Sequence, residues 1–183
     1  MAKVYVLLAN GFEEIEGLTV VDILRRGRVD VETVSIEESL NILGSHSIKL
    51  EADVMFDDAD FEAAEMIVLP GGLRGTNALM EHKGLKKLLQ DYKKAGKWIS
   101  AICAAPSVLG MNGILEGKKA ICYPGFEEKL LGAMVVPGAK VVKDGKVITS
   151  RGMGTAIDFA LALLETLSGS ELAQKISKGI QFT

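Results

Sequence analysis

Trp98-Ile99-Ser100-Ala101-Ile102-Cys103-Ala104-Ala105-Pro106 carries a buried strand straight into a helix through a cysteine, and this junction decides the fold. Trp98 to Ile102 is a short apolar run with β-forming residues, and Pro106 suits the first turn of a helix. A strand that ends in a nucleophile and turns at once into a helix is an elbow, which needs small residues two positions to either side. Ala101 and Ala105 fill those positions, small enough but less permissive than glycine in backbone angle. The dipole and free N–H groups of a helix N-terminus favour a thiolate. Free cysteines are also among the most buried residues, and the spacing leaves both readings of Cys103 open.

Outward from this junction, strands alternate with helices. Lys3 to Ala9, Val29 to Ile36, Met66 to Leu69 and Lys118 to Cys122 read as strands. Glu16 to Arg26 has apolar positions at helical spacing and stops at Gly27, and Gly84 to Ala95 is an amphipathic helix closed by Gly96. Ala156 to Leu167 reads as a long apolar helix, followed by a terminal one over Glu171 to Lys178. Ile42 to Leu50, broken at Gly44-Ser45, reads as a hairpin or irregular excursion, and Val141 to Ser150 folds back at Asp144-Gly145. The expected fold is α/β, a three-layer sandwich around a mainly parallel sheet with a nucleophile elbow. No linker or composition break divides residues 1–183, so one domain is expected.

With 48% hydrophobic and 25% charged residues the composition is that of a globular protein. The net charge of -3 and the scattered Lys and Arg residues argue against a nucleic-acid partner. No apolar run approaches the length of a bilayer span, the start lacks the pattern of a signal peptide, and two cysteines make no disulfide framework. A cytoplasmic protein without a membrane partner is expected.

In open α/β sheets the chemistry gathers at the carboxyl ends of the strands. Asn10 to Glu16 is one such turn, and Glu13, Glu14 and Glu16 there would repel a pyrophosphate. Pro70 to Gly75 is a second. Gly71 and Gly72 could bring backbone N–H groups close to a ligand and, with the N–H of Ala104, form an oxyanion hole near the sulfur, or could simply make a tight turn.

Gly11-Phe12-Glu13-Glu14-Ile15-Glu16, Leu69-Pro70-Gly71-Gly72, Ala101 to Pro106 and Thr149 to Thr155 occur in the order found in the ThiJ/PfpI superfamily. The chain resembles in particular the branch of the parkinsonism-associated protein DJ-one and its bacterial relatives, over essentially its whole length. The resemblance implies a flavodoxin-like fold, a homodimer, Cys103 as nucleophile, Glu16 as its hydrogen-bonded carboxyl, and Gly72 and Ala104 as backbone donors. A carboxyl touching a thiolate should have a raised pKa, since two adjacent anions are costly. Many relatives carry a histidine where this chain has Tyr123, which places a cysteine amidase or peptidase behind the other readings. If Tyr123 faces the site, strand alternation turns Cys122 away into a structural position. Of the two histidines, His82 reads as a solvated surface residue, while His46 aligns with a segment that in the family reaches the partner subunit's site, or packs at the dimer contact. Arg26 and Arg151 read by default as solvated or salt-bridged arginines, with a place near the dimer contact as the alternative, and Arg26, His46 and Tyr123 are possible site-lining residues.

The activity implied by the resemblance is detoxification of small dicarbonyls such as methylglyoxal, or of glycated adducts, without cofactor or metal. The alternative is an oxidative-stress sensor or chaperone acting through oxidation of Cys103.

Overall fold

In a computed structural model, which describes residues 2–182, the chain builds a seven-stranded sheet with helices on both faces. The first half comprises β1 (Lys3–Leu8), α1 (Glu14–Arg26), β2 (Asp30–Ser35), β3 (Asn41–Leu43), β4 (Lys49–Glu51), β5 (Val54–Met55) and β6 (Met66–Leu69). Then follow α2 (Leu73–Glu81), α3 (Lys83–Ala95), β7 (Trp98–Ile102), α4 (Pro106–Met111), β8 (Lys119–Ala120) and β9 (Met134–Val135). The chain ends with β10 (Val141–Asp144), β11 (Val147–Ser150), α5 (Ala156–Ser168) and α6 (Ser170–Gly179).

The strand order is β10-β11-β7-β6-β1-β2-β5, parallel throughout except for the antiparallel β10. Strand alternation divides the core into two layers. Val4, Val6 and Leu8 face Val20, Leu24, Phe159 and Leu163 of α1 and α5, whereas Tyr5 and Leu7 join the layer of Leu85, Leu89, Val108 and Leu109 of α3 and α4. Among the described residues no helix is long and apolar enough to cross a membrane.

Sheet growth reverses between β1 and β6, and there the turns that follow the two strands open a crevice. The turns pack backbone on backbone: a side chain on Gly72 (φ 86°) would strike Gly11 O, the Glu13 N and the carbonyl carbon of Phe12. The β3–β4 hairpin is tied over the first turn, because Gly11 N–H donates to Leu43 O (2.7 Å) and Ser45 N–H to Phe12 O (2.9 Å).

Three local features depart from the sequence reading. The strand expected over Lys118 to Cys122 shrinks to β8, which pairs with β9 outside the main sheet. Its place beside β11 is taken by β10, and Ile121 N–H is left to bond the Thr149 side chain (3.0 Å). Helix α2, interrupted in composition by Gly75 and Asn77, was not foreseen. His82, expected in solvent, is half-buried at the N-cap of α3, where Nδ1 accepts from Leu85 N–H (3.0 Å) and the ring lies 4.4 Å from that of Phe56. A polar side chain at this point satisfies one of the orphan donors of the helix.

Burial lowers the His82 pKa, so the folded state favours the neutral ring that can accept this bond. The cap is therefore fully effective above the unfolded pKa of about 6.5 and is lost as pH falls. His82→Ala should cost about 1 kcal/mol at pH 8, or about 2–4 °C in Tm, with the difference shrinking in acid. Thermal denaturation checks this, and an equal difference at pH 5 would rule out the cap.

Candidate functional site

Cys103 follows β7 directly and adopts a left-handed backbone, φ 65°, that a non-glycine residue takes at a cost of about 1–3 kcal/mol. Both of its backbone polar groups are tied down: Cys103 N–H donates to Ser150 O (3.0 Å), and Cys103 O accepts from Tyr123 N–H (2.7 Å). The turn closes through Ala105 N–H to Ile102 O (3.1 Å), with Ala101 and Ala105 fully buried as the tight elbow requires. The strained angle holds the thiol, half-buried, over the crevice between β1 and β6.

Gly71 makes room for it. A Cβ on Gly71 would lie 2.5 Å from Glu16 Oε2, 2.6 Å from Cys103 Cβ and 3.1 Å from Cys103 Sγ. Glu16, in the first turn of α1 and 1% exposed, lies beside the Cys103 thiol, near enough for the two groups to shift each other's titration. Its Oε2 also accepts from Gly71 N–H (2.8 Å), while the buried Oε1 finds no partner among the described residues. Gly71 is therefore not the sulfur-facing donor expected from the sequence, because its N–H is committed to Glu16. Gly72 and Ala104 do direct their N–H groups at the sulfur.

Burial pushes the Glu16 carboxyl up to about 7, reinforced by the charge of Glu13 and only partly offset by the bonds to Cys103 and Gly71. Beside a charged Glu16, burial first and then that charge push the Cys103 thiol up to about 12, against the pull of the Gly72 and Ala104 N–H groups. Two adjacent anions are excluded, so at neutral pH sulfur and oxygen hold one proton between them.

Glu14, two residues away and 4% exposed, behaves in the opposite way. Burial alone would raise it, but hydrogen bonds from the His46 ring, its own and the His46 backbone N–H, and the Ser45 hydroxyl hold it down to about 2. His46 Nδ1 lies 3.0 Å from Glu14 Oε2 and 3.6 Å from Glu13 Oε1. Glu13, Glu14 and His46 offer ligand atoms within 4.8 Å of one another, the one such cluster with the spacing a cation needs among the described residues. Within this chain His46 serves that ion pair at the hairpin tip rather than lining the thiol. Arg26 is corrected in the same way: its Nε bonds Asp22 Oδ2 (2.6 Å) on the far side of α1, away from Cys103.

Tyr123 stands beside the thiol. Its ring lies 3.1 Å from where a Gly152 Cβ would sit, and that Cβ would be 4.0 Å from Cys103 Sγ. Cys122 points away into the core, 1% exposed. The wall formed by Arg151, Gly152, Met153 and Thr155 received no site role from the sequence, although it follows the carboxyl end of β11, where the strand rule directs attention.

The raised Glu16 pKa has a consequence for stability. In the unfolded chain the carboxyl titrates at about 4.5, so folding favours its protonated form, and stability falls as pH rises from about 4.5 to about 7. Glu16→Gln removes that loss. Its stability relative to wild type should grow through this window, by on the order of 3 kcal/mol, as read by denaturant unfolding at several pH values. A pH-independent difference would show that Glu16 is not held protonated.

Residues 2–166 match the DJ-1/PfpI family. The chain is 38% identical to protein dj-1beta of Drosophila melanogaster, over 96% of this chain and 94% of that protein. It is 40% identical to protein DJ-1 homolog B of Arabidopsis thaliana over 96% of this chain, but spans only 40% of that longer protein. It is 33% identical to the glutathione-independent glyoxalase DJR-1.2 of Caenorhabditis elegans, over 91% of this chain and 88% of that one. Among solved structures, a mutant of the DJ-1 superfamily protein STM1931 from Salmonella typhimurium superposes with a TM-score of 0.95 at 35% identity, covering all of both chains. The expected flavodoxin-like, mainly parallel architecture is thus matched by solved relatives, and the chain belongs to the DJ-1/PfpI family.

Proposed function

We propose that this chain is a glutathione-independent glyoxalase acting on small 2-oxoaldehydes through Cys103. The observation that carries this reading is a strained, half-buried thiol that meets a protonatable buried carboxyl on one side and two backbone N–H donors on the other. The glyoxalase activity in the name of the Caenorhabditis elegans relative supports it.

The location of the shared proton follows from the donors. The thiol is partly exposed and receives the N–H groups of Gly72 and Ala104, whereas Glu16 has one N–H and an unpartnered Oε1. The negative charge is better solvated on sulfur, and the proton stays on Glu16. The thiolate adds to the aldehyde carbon, forming the C–S bond of a hemithioacetal as the carbonyl π electrons move to oxygen. The N–H groups of Gly72 and Ala104 then stabilise that oxygen. Glu16 gives its proton to the oxygen, takes the one on the aldehyde carbon to leave an enediolate, and returns it to the neighbouring carbon, while the hydroxyl proton passes to the oxygen on that neighbouring carbon. The result is a thioester of a 2-hydroxy acid, which water hydrolyses with release of the thiol. Methylglyoxal and water thus give lactate with no external oxidant. Turnover of early glycated adducts would follow from the same steps on the aldehyde in equilibrium with them.

The groove lined by Ile15, Leu18, Arg26, Ile48 and Ile157, about 520 Å³ in volume, supports pairing of two copies across α1 and the hairpin. A second reading, oxidation sensing, is favoured by the contrast between a reachable Cys103 and a sealed Cys122. After graded peroxide, mass spectrometry should then find oxygen on Cys103 well before Cys122; equal uptake would contradict it.

Lactate formation from methylglyoxal tests the main reading. Cys103→Ser should abolish it, and Glu16→Gln should lower it about 10²–10⁴-fold. For the wild type, kcat/KM should rise with pH through about 7, as the pair loses its first proton. Equal rates in all three proteins would end the proposal.

A further inference from the structure

Beside the thiol lies a cavity of about 260 Å³, walled by Tyr123, Arg151, Gly152, Met153 and Thr155. Its Gly152 wall adjoins Cys103: even a methyl group there would crowd the Tyr123 ring at 3.1 Å and approach Sγ to 4.0 Å. At about 30 Å³ per water in the liquid, the space holds roughly nine water-sized groups, more than the three-carbon methylglyoxal fills.

The charges around this cavity are unbalanced. Arg151 is exposed on its wall, and its guanidinium makes no ion pair among the described residues. Asp158, in the first turn of α5, is taken by Lys140 (3.1 Å), and Glu127 folds back to accept from Gly125 N–H (2.7 Å). The wall runs on through the 3-10 turn Met153–Thr155 into α5, and that turn takes up the first N–H groups of the helix: Thr155 N–H donates to Gly152 O (2.8 Å) and Ala156 N–H to Met153 O. Thr155 is occupied with Ser150 and Gly152, so the groups left to greet a ligand are the guanidinium and the half-exposed Tyr123.

We propose that this cavity is a subsite for an anionic tail, so that the preferred substrates are 2-oxoaldehydes that carry a carboxylate a few atoms from the dicarbonyl. The proposal rests on the reading of Cys103 as the nucleophile for 2-oxoaldehydes and adds the substrate class. The aldehyde carbon meets Sγ, the chain passes Gly152, and the carboxylate receives the planar fork of Arg151, which matches it in a bidentate pair. Tyr123, in the position where many relatives carry histidine, then acts on specificity rather than on peptide hydrolysis.

The test compares 4,5-dioxopentanoate with methylglyoxal as substrates of the wild type, Arg151→Gln and Arg151→Lys. Addition of water to the first gives 2-hydroxyglutarate, by the same balance that turns the second into lactate. The ratio of kcat/KM, acid over neutral substrate, should exceed one in the wild type, fall about tenfold in Arg151→Gln, and recover in part in Arg151→Lys. In parallel, Cys103 is alkylated with iodoacetate and with iodoacetamide, a readout that needs no turnover. The ratio of these rates should fall about fivefold in Arg151→Gln, while the iodoacetamide rate reports that the thiol and its fold are intact. If neither dicarbonyl is turned over, the glyoxalase reading fails and the alkylation ratio alone decides the subsite. Ratios unchanged by Arg151→Gln would overturn the inference.

Discussion

Cys103 could not stand where it does on an ordinary backbone. Its left-handed angle at the end of β7 turns the side chain out of the sheet and over the crevice where sheet growth reverses. That conformation persists only because neighbours over-determine it: Ser150 and Tyr123 hold its amide and carbonyl, Ala101 and Ala105 keep the turn thin, and Gly71 leaves the space a Cβ would fill. Strand β11 and the segment around Tyr123 thus fix the nucleophile from one side, while β1 and β6 bring up its chemical partners from the other.

Two glutamates on one helical turn show how little sequence distance decides charge state. Glu14 and Glu16 are both buried, yet one sits far below the usual carboxylate range and the other well above it. The difference is the supply of donors. The β3–β4 hairpin delivers Ser45 and His46 to Glu14, and its Gly44 has no Cβ because Glu14 occupies that space. Glu16 receives one backbone N–H and a sulfur. The hairpin is therefore more than an excursion, since it leaves Glu16 as the buried carboxyl with a proton to give.

Much of this was legible in the chain. Apolar runs with β-forming residues located β1, β2, β6 and β7, and Gly27 and Gly96 marked the ends of α1 and α3. The elbow could be read because its size constraint falls on neighbours in sequence. Lys118 to Cys122 misled for the opposite reason: whether an apolar run joins a sheet depends on who already occupies the edge, and β10 does. Which of two adjacent glycines faces the sulfur is a matter of backbone direction, so Gly71 and Gly72 were indistinguishable until the fold showed Gly71 bonded to Glu16. The cap at His82 escaped notice because histidine is not among the usual capping residues, and the Phe56 ring that half-buries it comes from a distant segment.

The ultraviolet absorbance of the Cys103 thiolate, followed against pH in the wild type with Cys103→Ser as blank, tests the central claim most directly. A proton retained on Glu16 predicts a thiolate signal that is already present below the free-cysteine pKa of about 8.5. A signal that stays absent until well above the free-cysteine pKa of about 8.5 would mean that the carboxylate keeps the thiol protonated, and would contradict the account.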